Sequence, residues 1–107
     1  MTPVSEGLGW FVLLHVPGPA VPDGARLFEH PGFGEHVAFL RRRAEDGSLV
    51  AAGPLGDADG EGMTVLRAAS LEAARRLAEE DDRSVAGGVL RVTVRPWHVL
   101  MAPVAGG

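Results

Sequence analysis

Leu8–Val16 (LGWFVLLHV) is apolar on both of its alternating faces, and no other stretch of the chain restricts the fold as much. Successive side chains of an extended segment point to opposite sides. Trp10, Val12, Leu14 and Val16 therefore share one face, and Phe11, Leu13 and His15 share the other. A strand with this pattern is covered on both sides. The chain has 107 residues, so 1–107 reads as one domain with one modest core. Such a domain can cover one face with its own helices; the other face calls for something else.

The elements that follow supply the first cover. Pro17–Gly24 (PGPAVPDG) is a loop by its prolines and glycines. A helix is expected from about Pro31 or Gly34 to Asp46, ended by Gly47 in the left-handed conformation. At 100° per residue, Phe33, Val37, Leu40 and Ala44 form its apolar stripe. His36 and Phe39 flank that stripe, and Arg41, Arg42 and Glu45 face water. Ser48–Leu55 reads as a second strand stopped by Gly53-Pro54, and Gly56–Gly62 as an Asp/Gly turn into a third strand, Gly62–Ala69. Ser70 is placed to cap a second helix that buries Leu71, Ala74, Leu77 and Ala78. Asp81 would fall on the same stripe, so this helix ends near Glu80 or Asp81. Val89–Arg95 alternates, with Leu90, Val92 and Val94 on one side and Arg91, Thr93 and Arg95 on the other; Pro96 ends the strand.

The order β-α-β-β-α-β defines the ferredoxin-like split unit, an α+β fold whose antiparallel sheet carries two helices on one face. The cover for the second face is expected to be another copy of the chain, in a two-fold dimer with the sheets facing each other. The ends, about 1–7 and 103–107, are expected to be flexible.

Composition removes several classes of function. A net charge of −4 argues against nucleic acid, which needs a basic face. No apolar run approaches the roughly 20 residues of a membrane span. Met1–Leu8 carries no basic region leading into an apolar stretch, so no leader is expected and the cytoplasm is the default location. The absence of cysteine excludes disulfides, thiolate catalysis and Cys-type zinc sites.

Four segments in order resemble the YCII-related (YciI-like) family. Glu35–Leu40 (EHVAFL) resembles its histidine-bearing helix. Gly47–Pro54 (GSLVAAGP) is similar to its G-x-L-x-x-x-G-P strand, and Ser70–Ala74 (SLEAA) to its S-x-E-E-A helix start. Asp82–Val89 (DRSVAGGV), followed by Val94–Trp97 (VRPW), resembles its D-P-x-V-x-A-G-x turn and last strand. The resemblance implies a dimeric α/β barrel with an active site centred on a histidine and an aspartate, here His36 and Asp82. It also implies chemistry on small cyclic or phenolic compounds, such as removal of chloride from hydroxylated aromatics. The chain departs from the family where Asp82-Arg83 replaces Asp-Pro. Arginine frees φ and adds a backbone donor there, so Asp81 is the reserve candidate should the turn slip by one residue.

The residues themselves support a proton shuttle. His36 lies in the first turns of its helix, where the dipole disfavours an imidazolium and favours the neutral ring that a general base requires. A carboxylate from Asp82 would fix the tautomer and stabilise the imidazolium once formed. The structural alternatives are a packed His36 and an Asp82 that only caps the following turn. Arg91 and Arg95 are candidates to hold an anionic substrate, with Gly53 and Pro54 as further substrate contacts; the alternative for the arginines is a solvated edge or a dimer salt bridge. Arg41–Arg43 reads as solvated surface. His15, His30 and His98 show no metal-binding spacing with His36, so neither a metal nor another cofactor is expected. Asp57, Asp59 and Glu61 around Gly60 form a turn too short for a calcium loop. The expected function is isomerisation or elimination on a small enolisable or phenolic molecule, without a cofactor. The alternative is a non-catalytic dimer that binds a metabolite or serves as an accessory module.

Overall fold

The computed structural model describes residues 8–57 and 59–103. The ends expected to be flexible, 1–7 and 103–107, fall outside the described residues except for Pro103. The elements run β1 (Gly9–Pro17), α1 (Phe33–Glu45), β2 (Leu49–Pro54), β3 (Gly62–Ala68), α2 (Leu71–Arg76), α3 (Arg83–Ala86) and β4 (Leu90–Trp97). A 3₁₀ turn, Leu27–Glu29, precedes α1, and a π-helical turn, Leu77–Asp81, extends α2. The strands pair antiparallel in the order β2-β3-β1-β4, the ferredoxin-like arrangement.

β1 is central, as its two apolar faces require. Phe11, Leu13 and His15 are buried beneath the helices. Phe11 and Leu13 form the main core with Leu66 of β3, Phe39 of α1, and Ala74 and Ala78 of the second helical segment. Among the described residues, no helix covers the opposite face. There Trp10 lies opposite Arg67 and Trp97, Val12 opposite Val65 and Arg95, and Leu14 opposite Met63 and Thr93.

Local chemistry explains most boundaries. Glu35 in the first turn of α1 and Arg42 and Arg43 in its last turn complement the helix dipole. Gly47 takes φ 81° just past the helix, as expected. The Ser70 side chain accepts the Ala73 amide hydrogen at 3.0 Å and caps α2. At Gly18 the loop after β1 approaches Gly88 so closely that a Cβ would lie 2.2 Å from its carbonyl oxygen.

Three expectations need correction. The buried side of α1 is centred on His36 and Phe39, whereas Val37 is 38% exposed and Ala44 is exposed. The helix is rotated relative to the apolar stripe because it must cover the sheet and also wall a pocket. β4 continues through Pro96 to Trp97; it is an edge strand, and an edge position tolerates the missing N–H. Arg43 is not solvated: its side chain is 14% exposed, and its guanidinium lies 5.7 Å from the centre of the Phe39 ring.

Candidate active site

The π-helical turn aims the two adjacent aspartates in opposite directions. The Asp82 amide donates to the Leu77 carbonyl five residues back, at 3.0 Å, which widens the last turn of the helix. Asp81 thereby leaves the buried stripe and turns toward α1. Arg42 donates to its carbonyl at 2.8 Å and to its carboxylate at 3.2 Å, and Arg43 approaches the same carboxylate at 3.7 Å. Asp82, fully buried, points inward. Its Oδ1 accepts from the Ser84 amide at 3.0 Å and the Ser84 hydroxyl at 2.6 Å, which caps α3. Its Oδ2 lies 2.7 Å from Nδ1 of His36. One carboxylate therefore both caps the turn and engages the histidine. Arg83 occupies the first helical position after this cap, a position that suits proline but does not require it.

His36 is buried on the sheet-facing side of α1, its ring tilted against Phe33 at 5.7 Å and stacked on Phe39 at 6.3 Å between centroids. With Nδ1 taken by Asp82, Nε2 is the nitrogen left for the pocket that His36 helps to line. That pocket is a cavity of about 90 Å³. Phe33, Val37 and Leu40 of α1 wall one side, which is the destination of the apolar stripe. Phe28 stands edge-on to Phe33 at 5.1 Å, and Gly53, Pro54 and Gly62 line the cavity from β2 and β3. Asp82 does not reach the pocket itself; His36 stands between.

Of the residues singled out in the sequence, the fold brings together His36, Asp82, Gly53 and Pro54. It does not bring Arg91 and Arg95. Their register opposite Val16 and Val12 places both on the uncovered sheet face, while His15 and its partner Val92 face the helices. Within one protomer the two arginines lie away from this pocket and are not among its lining residues.

Sequence reasoning missed His15. It is 3% exposed, and its ring lies edge-on to that of His36 at 4.7 Å. Neither ring nitrogen has a hydrogen-bond partner among the described residues. Leaving such a group unsatisfied costs about 1–3 kcal/mol. Burial, then the nearby His36, lower its pKa from 6.5 to about 4, against a smaller opposing pull from Asp82. The signal was present in the alternation of β1, where one histidine interrupts a buried apolar face. His15, His36 and Asp82 each offer an atom within 4.8 Å of the others, close enough to hold a metal ion, although His36 already engages Asp82.

The comparisons agree with this fold. The chain belongs to the YCII-related domain family, whose sequence profile matches residues 11–98. Comparison with curated proteins gave no match. Among solved structures, the chain is similar to 5-chloro-2-hydroxyhydroquinone dehydrochlorinase from Burkholderia phenoliruptrix, determined in complex with 2,5-dihydroxybenzoquinone. The TM-score is 0.57 at 17% identity, over 82% of this chain and 93% of that one. At that identity the likeness speaks to the fold.

Proposed function

We propose that this protein is a small-molecule enzyme in which His36 acts as general acid and base and Asp82 orients it. The observation that carries this is the 2.7 Å contact between His36 Nδ1 and Asp82 Oδ2 beside a cavity that His36 lines. Asp82 holds the Nδ1 proton, so the Nε2 lone pair is directed at the ligand. The base takes a proton from a hydroxyl or an activated carbon, and the electron pair left behind moves into the ligand. In an isomerisation the proton returns at another atom. In an elimination an anionic leaving group departs, and the imidazolium later releases the proton to water. Asp82 offsets the charge on the imidazolium in both cases.

The apolar walls suit a small ring, and the family and the dehydrochlorinase with the similar fold make enolisable or phenolic compounds the first substrates to try. The uncovered sheet face supports a two-fold dimer. Val12, Leu14, Met63, Trp10 and Trp97 lie on it, and Arg91 and Arg95 then belong to the subunit interface. Mass determination by light scattering at micromolar concentration tests the dimer.

Turnover of halogenated hydroquinones and small enol lactones, followed by NMR, tests the chemistry. Wild-type protein is expected to convert at least one of them, and His36→Ala to lose that activity while keeping its fold. Full activity in His36→Ala excludes it as the base. Binding of these compounds with no conversion by wild-type protein favours the alternative, a non-catalytic metabolite-binding module.

A further inference from the structure

On the helix-covered face of β1, Phe11 and Leu13 belong to the apolar core, and the next residue on that face is a histidine. A leucine or phenylalanine would pack there without stranding two nitrogens. His15 lines the same cavity as His36 and meets its ring edge-on. Both of its nitrogens are buried and unpartnered among the described residues. Among the described residues no arginine lines the cavity, and Glu61, which does, works with the carboxylate behind His36 against an anionic ligand.

We propose that His15 is a second ligand-binding residue of this site, and that His15 and His36 together grip an uncharged molecule carrying two hydrogen-bonding groups along one edge. The assignment rests on the ligand site proposed above. A neutral imidazole offers one donor and one acceptor, so it can pair with a hydroxyl or a carbonyl equally well. The depressed pKa of about 4 is consistent with a ring that stays neutral at working pH. His36 then handles the group that loses its proton, and His15 fixes the neighbouring group. Carboxylated and phosphorylated compounds are disfavoured, since no cation lines the cavity among the described residues.

The test uses the full chain and three probes, 1,2-dihydroxybenzene, phenol and benzoate, titrated while the imidazole resonances of His15 and His36 are followed by NMR. The wild-type protein is expected to bind the dihydroxy ring about tenfold more tightly than phenol, the worth of one added hydrogen bond, and benzoate more weakly than either. His15→Leu is expected to keep its thermal stability and to bind the two neutral rings within about twofold of each other. His15→Gln, which retains a donor and an acceptor, restores part of the preference. Equal binding of the two neutral rings by wild-type protein, or a preference that persists in His15→Leu, removes His15 from recognition and leaves the His36 site standing. Loss of folding in His15→Leu makes the histidine structural and overturns the assignment. If no ring binds or perturbs His36, the ligand site itself falls, and the role of His15 with it. If zinc alone shifts both histidines, and does so only while His15 is present, the stranded nitrogens belong to an ion and the assignment is overturned.

Discussion

The layer between sheet and helices has two ends, and they are built on opposite terms. At one end Phe11, Leu13, Leu66, Phe39, Ala74 and Ala78 pack without a polar side chain among them. At the other, on the same face of β1 and the same side of α1, stand His15, His36 and Asp82, all buried. The first end is stable because each side chain gains by leaving water. The second must satisfy polar groups, and it does so unevenly. Asp82 has its contacts met three times over by Ser84 and His36, while His15 has none among the described residues. Burial at the first end accounts for the fold; at the second, burial without satisfaction is the ground for the ligand site proposed above.

Substitutions can break this contrast. The largest effect is expected at the apolar end, where Phe39→Ala should cost about 3–5 kcal/mol, measured by urea denaturation. Asp82→Ala strands the Ser84 donors and His36 and is expected to cost about 3 kcal/mol in the same assay, because one side of a buried pair is removed. An Asp82→Ala protein as stable as wild type would mean that the polar end contributes nothing to the fold.

Acid sharpens the contrast. Below pH 6.5 the unfolded chain protonates at position 15, whereas the folded chain does not until about pH 4. Stability contributed by the neutral, buried His15 is therefore complete above pH 6.5 and lost as pH falls toward 4, by up to roughly 3 kcal/mol. Denaturation midpoints should fall across that window in wild type and fall less in His15→Leu; parallel curves would remove His15 as the cause. The smallest effect is expected at the surface, where Arg42→Ala loosens Asp81 and should cost under about 1 kcal/mol, since both side chains are 41% exposed. A larger loss would make this clamp part of the support for the neighbouring Asp82.

The order of elements was legible because caps, turns and alternation are local: Ser70 and Gly47 act where the chain places them. The pairing of His36 with Asp82 was legible through the family resemblance, and neither residue announces it alone. The π-helical turn was not legible, because Leu77–Asp81 reads as ordinary helix and the wider turn follows from tertiary demands on two adjacent aspartates. The rotation of α1 was missed for a related reason, since a helical wheel does not distinguish an apolar residue facing a core from one facing a cavity. His15 was placed correctly on its face of β1, but its approach to His36 depends on how α1 crosses the sheet.

The Asp82 carboxylate carries one further consequence, which concerns time. His36 and Asp82 are 46 positions apart, and the oxygen that caps the last short helix belongs to the group that engages the histidine. β1, which carries His15, completes its pairing only when β4, the last strand, docks beside it. Contacts this distant in sequence form late. The proposed site therefore draws on contacts that span most of the chain, and without β4 the strand that carries His15 would be paired on one side only.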